Sequence, residues 1–130
     1  MAVEVSFNQV ENFFTLKVSG DTSAKEIGDA FAAAVEDPAH HQNMNCMWDA
    51  AGVKLSQFSI AQIRELATVL RQYSAQRGAN YKVAITTKSQ GDYQLLKVYT
   101  TLFRLIGSFR IKVFNDMAMA RQWITTEEAA

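Results

Sequence analysis

The chain has 130 residues, 48% of them hydrophobic and only one of them proline, enough apolar side chains to give a single domain a buried core. Thirteen basic and thirteen acidic side chains cancel, which argues against a general nucleic-acid binder, and no stretch has the low hydropathy and high charge of a disordered segment. The lone Cys46 closes no internal disulfide, the acidic opening MAVEVSF lacks a basic targeting region, and the apolar run 101–109 is interrupted by Arg104 and too short to span a bilayer, so a soluble cytoplasmic protein is expected.

Two extended runs open the chain, VEVSF (3–7) and FFTLKVSG (13–20), and the short polar link NQVEN predicts that they pair as an antiparallel hairpin. Gly20-Asp21-Thr22-Ser23 then switches the apolar period from two to about 3.6, and Ile27, Ala30, Phe31, Ala34 and Val35 share one face of a helix ending near Asp37-Pro38. His40-His41 follows in a polar loop and reads as a solvated turn. NMNCMWD (43–49) is a third strand; Met44, Cys46 and Trp48 share a face by alternation, which makes Cys46 a buried, inert thiol.

Residues 59–78 form the next helix, with Ile60, Ile63, Leu66, Ala67 and Leu70 as its inner stripe and Gly78 as its C-cap. YKVAITT (81–87) is a strand apolar on both faces at Val83-Ala84-Ile85, as expected deep in a parallel sheet. A helix over 91–107, a strand over 110–114 and a helix over 116–124 complete the chain. After the opening strand the order is βα four times, which predicts an α/β fold with a mostly parallel sheet and right-handed crossovers, without specifying strand order.

Charge is distributed unevenly. Residues 1–65 carry four basic and nine acidic side chains, and residues 66–130 carry nine and four, giving halves of −5 and +5. Either the halves dock against one another, or the second half presents a basic surface to an anionic ligand or acidic partner.

Trp48-Asp49 at the end of the third strand, Val83-Ala84-Ile85 in the fourth, and Val113-Phe114-Asn115-Asp116 followed by Ala120 and Trp123-Ile124 recur in an order and spacing that resemble the STAS domains. More narrowly, the chain is similar to the SpoIIAA-like family of small bacterial proteins. The resemblance spans the chain from the first hairpin to the final helix. It implies a right-handed superhelix of four βα turns, an architecture shared with lipid-carrying CRAL-TRIO domains, and no catalytic machinery.

Anti-sigma-factor antagonists of the STAS group carry Asp-Ser-Ser-Gly before the helix that follows the third strand, and a partner kinase phosphorylates the second serine. The equivalent stretch here is Gln57-Phe58-Ser59-Ile60, so Ser59 keeps the phosphoacceptor position while the aspartate, first serine and glycine are replaced. Ser59 with Gln62 three residues on also fits a capping box. Cap and phosphosite are physically compatible, because a helix start favours negative charge.

Ligands of open parallel sheets bind beyond the carboxyl ends of the strands, which here supply Asp21, Asp49, Thr86-Thr87-Lys88-Ser89 and Asn115-Asp116. Asp49, Thr86, Thr87 and Asn115 form the expected rim; Asp21 and Asp116 precede helices and read as caps, and no histidine has a spacing that would complete a metal site. Along 91–107, Leu95, Leu96, Val98, Tyr99, Leu102, Phe103, Leu105 and Ile106 cover roughly half the helix circumference, more than the ~100° a surface helix uses. Such a helix is wedged between neighbours, forms a dimer face, or walls an apolar cavity. In the last case Tyr93 and Tyr99 supply polar handles, Met117, Met119 and Trp123 a pliable wall, and the expected ligand-binding set is Tyr93, Tyr99, Leu102, Phe103, Ile106 and Trp123. No phosphate-binding glycine loop, nucleophile elbow, HExxH or dinucleotide fingerprint occurs, so neither enzyme activity nor a cofactor is expected. The sequence points to a non-catalytic, homodimeric domain that binds a small apolar or amphipathic ligand or a protein partner, with a Ser59 phosphoswitch as the alternative.

Overall fold

The computed structural model describes residues 3–103 and 109–126. Among them, β1 (Val3–Asn8) and β2 (Phe13–Ser19) pair antiparallel, and β3 (Asn45–Gly52), β4 (Lys82–Thr86) and β5 (Arg110–Phe114) extend the sheet in parallel, in the order β1-β2-β3-β4-β5. Each new strand lies beside its predecessor, so crossovers of one constant hand place their helices on one face. α1 (Ala24–Glu36), α2 (Ile60–Gln72) and α4 (Gln90–Phe103) cover that face, and α5 (Met117–Thr125) packs on β3, β4 and β5 from the other.

The period-two alternation sorts the strand residues. Phe14, Leu16 and Val18 of β2, Cys46 of β3 and Val83 and Ile85 of β4 join the core beneath the three helices. Their neighbours Phe13, Met47 and Ala84 meet Phe114, Ala120 and Ile124 under α5. All five residues of β4 are buried, as its two-sided apolar run requires of a strand with both neighbours and both faces covered.

Three local features depart from the sequence reading. The helix expected over 59–78 breaks at Tyr73, whose backbone (φ −102°, ψ 10°) leaves helical geometry, and a short α3 (Ser74–Arg77) follows. The cause is tertiary: the Tyr73 hydroxyl donates to Glu36 Oε1 at 2.7 Å, and its ring stands edge-on to Phe31, tying the end of α2 to α1. Secondly, β3 runs to Gly52 and is followed by a 3-10 turn at Leu55–Gln57 that buries Leu55 and Phe58. Thirdly, Ile60, at the first position of α2, is 59% exposed, and the buried stripe is carried by Ile63 and Leu66.

The cap at Ser59 is formed in full. Its Oγ accepts from Gln62 N at 3.1 Å, and its N–H donates to Gln62 Oε1 at 2.7 Å. Ser59→Ala should therefore lower stability by about 1 kcal/mol while Ser59→Asp, itself a good cap, leaves it nearly unchanged, as read from urea unfolding midpoints. An unfolding midpoint unchanged by Ser59→Ala would show that the cap contributes nothing.

Candidate functional site

Between the sheet and α1, α2 and α4 the side chains leave a cavity of about 110 Å³. Its floor is sheet, from Cys46 and Trp48 of β3 to Val83 and Ile85 of β4; its roof includes Phe31, Leu66 and Tyr99. The mouth of the 3-10 turn adds Leu55 and Phe58, which explains why a segment rich in polar residues, Lys54 to Ser59, keeps two large apolar side chains. The lining is apolar almost throughout, and the charged exception is Arg77, which lies over Tyr81, itself stacked on Phe109.

Arg77 is only 2% exposed. Breaking the helix at Tyr73 gives α3 its own direction and carries Arg77 inward rather than to solvent. Its guanidinium lies over the Tyr81 ring at 4.0 Å and the Phe14 ring at 5.0 Å. Nη1 donates to Met44 O at 2.6 Å and faces His40 Nε2 at 3.1 Å. A guanidinium has only donors, so His40 Nε2 must accept and Nδ1 carries the proton. Nη2 is buried with no hydrogen-bond partner, and no carboxylate forms an ion pair with Arg77 among the described residues.

The surroundings of this cation are held neutral. Burial pushes the Cys46 thiol up to about 12, with Arg77 opposing only in part, so it stays protonated. Burial likewise raises Tyr81. Burial, then the Arg77 charge, then His41 lower His40 to about 4. Because this lies below the ordinary value of 6.5, the folded state binds fewer protons than the unfolded chain between pH 6.5 and 4. The stabilisation from neutral His40 is full above 6.5, falls away through that window and is lost below 4. Nitrogen-15 NMR should show His40 as the Nδ1–H tautomer down to about pH 4, and His40→Gln should flatten the acid limb of stability by about 1–2 kcal/mol, the group being half-buried and partly screened. A ring that protonates near 6.5 would remove the basis of both expectations.

The residues singled out from sequence fall in several places. Tyr99 is buried and lines the cavity, with Leu96 three residues earlier on the same helix face. Tyr93 is half-buried at the edge of the core, outside the lining, with Lys97 Nζ 4.8 Å from its ring. Trp123 lies on the opposite face of the sheet, packed on Phe114 at 5.7 Å between ring centres, and its carbonyl accepts from the buried Lys82 Nζ at 2.8 Å. It cannot share a pocket with Tyr99, because the last helix returns beneath the sheet. Met117 and Met119 are exposed on the same helix and do not line this cavity. Ile106 and Leu105, and the side chains of Leu102 and Phe103, lie outside the described residues.

On the strand-end rim, Asp49 Oδ1 accepts from Ala51 N at 3.1 Å and lies 3.4 Å from Thr86 Oγ1, so these two meet as expected. Thr87 is buried with its hydroxyl unpartnered, whereas Asn115 is exposed and separate. Asp116 caps α5 by accepting from Ala118 N at 2.8 Å, but Asp21 caps nothing: Ser23 holds that place on α1 through a capping box. No cluster of three metal-ligating side chains occurs among the described residues.

Sequence reasoning missed Arg77 and His40. An arginine one residue before a capping glycine ordinarily points to water, and a histidine after proline in a polar loop ordinarily does too. Their meeting joins positions 37 residues apart and leaves no periodic trace. Comparisons with protein-family models, curated proteins and solved structures found no match.

Proposed function

We propose that the chain is a STAS-like, non-catalytic domain that encloses a small apolar or amphipathic molecule between the sheet and α1, α2 and α4. One observation carries this reading: an apolar cavity of about 110 Å³ in the heart of the larger core. Protein interiors are packed to crystal-like density, and voids larger than a few waters are uncommon and costly. An apolar cavity of ~150 Å³ admits benzene or xenon, so a slightly smaller one suits a compact molecule. The hairpin followed by strand–helix units supports the STAS-like part of the reading. A cytoplasmic location belongs to the proposal; among the described residues no helix is long and apolar enough to cross a membrane. Self-association, the other expectation for α4, has exposed Val98 and half-buried Leu95 to draw on among its described side chains.

The test is a mass spectrum of protein purified from its own cells, under native and denaturing conditions, beside methyl NMR under xenon. The expected results are a small-molecule mass lost on denaturation and shifts at Ile63, Leu66, Val83 and Ile85. A bare mass together with unmoved methyls would overturn the reading.

A phosphoswitch at Ser59 is the second reading, supported by the exposure of that residue at the start of a long helix. A covalent phosphate mapped to Ser59 in the same spectra would establish it; an unmodified Ser59 in protein from every growth phase would exclude it.

A further inference from the structure

We infer that the molecule held in the cavity is a small monocarboxylic acid, its carboxylate paired with the Arg77 guanidinium and its apolar body against the sheet. This rests on the cavity being a binding site, as proposed above, and adds the chemistry of what it binds.

Arg77 carries an unbalanced charge. Arginine stays protonated in proteins, and taking its cation out of water carries a large desolvation cost that a buried partner normally offsets. Here every described neighbour is neutral: the Met44 carbonyl, the acceptor nitrogen of His40, the faces of Phe14 and Tyr81, and the Cys46 thiol. Met44 O and His40 Nε2 both engage Nη1. Nη2 is buried with no hydrogen-bond partner, and Arg77 itself lines the cavity. An unpaired cation and an apolar void therefore adjoin, each lacking what the other's occupant would bring.

The two features together restrict the ligand. A bare inorganic anion would balance Arg77 but leave the apolar space empty. A neutral hydrocarbon would fill the space and leave the cation unpaired. A phosphate dianion needs several charged donors, and among the described residues no lysine or second arginine lines this cavity. A carboxylate accepts from one guanidinium edge and carries a single charge, and a body of roughly four to six carbons matches a space somewhat smaller than one that admits benzene.

The test compares isovalerate and hexanoate with the uncharged amides isovaleramide and hexanamide, by calorimetry at pH 7 on the whole chain. The acids should bind at least tenfold more tightly than their amides, and Arg77→Met should bring the acids down to the level of the amides. The acid-to-amide ratio of the unaltered protein decides the question even if Arg77→Met fails to fold, and the Arg77 Nη resonances of that protein should move with isovalerate. Amides binding as tightly as acids would overturn the carboxylate inference while leaving the cavity as a binding site. Absence of binding by all four would overturn both.

Discussion

Gly78→Ala should lower the unfolding free energy by about 3–5 kcal/mol, a large part of what a domain of this size has. Gly78 closes α3 at φ +92° and ψ −170°, a backbone region open essentially to glycine alone. A β-carbon there would intrude on the Asn43 side-chain oxygen and lie 3.1 Å from the Asn43 backbone nitrogen. Asn43 cannot simply retreat. Its own φ is +67°, its N–H donates to Arg77 O at 2.7 Å, and its Oδ1 accepts from Asn80 N at 3.0 Å. The substitution thus combines backbone strain with the loss of two bonds that join the approaches to β3 and β4. Urea unfolding with an unchanged m-value would measure it, and a loss below 1 kcal/mol would mean that the loop yields freely. Since Arg77 is the preceding residue, the variant should also weaken binding of any ligand that touches its guanidinium.

Phe31→Ala is expected to cost a similar ~3–5 kcal/mol, but with a different accompaniment. The ring is 4% exposed, stacks on Trp48 at 5.9 Å, meets Tyr73 edge-on at 6.1 Å and forms part of the cavity roof. Its loss removes aromatic contacts and merges new space with the existing void, which favours the upper half of that range. The enlarged space should admit a bicyclic molecule that the unaltered protein excludes. Thermal unfolding with and without naphthalene tests this: the variant's midpoint should rise with naphthalene and that of the unaltered protein should not, since a ligand of the native state alone stabilises it. Collapse of the roof into the gap would show as a small stability loss and no response to naphthalene.

These two residues illustrate what was legible in the sequence. Phe31 was placed on the inner face of its helix by the 3.6-residue period, and Gly78 was marked as a C-cap by its position after a helical run. Strand alternation likewise put Met44, Cys46 and Trp48 on one face of β3, and the three pack in or against one core, because period-two patterns encode a face directly. The break at Tyr73 was not encoded in that way: Ser-Ala-Gln-Arg is compatible with a helix, and the contacts made there, Tyr73 with Glu36 and Phe31 and Arg77 with Met44, all reach distant parts of the chain. That bend brings Arg77 inward, so the most informative polar group of the cavity was hidden by the same tertiary effect. Trp123 was misplaced for a related reason, since helical spacing gives a residue's face on its own helix but not which side of the sheet that helix returns to.

The unbroken strand order has a consequence for how the protein assembles. From β2 onward, each strand needs only one helix-sized crossover to find its neighbour, so no pairing waits on a distant part of the chain. Modest sequence separation between contacts favours fast folding, and units can add in the order in which they leave the ribosome. The helical layer over β2 and β3 can form before β5 has been synthesised, and α5, arriving last, covers a sheet that is already ordered.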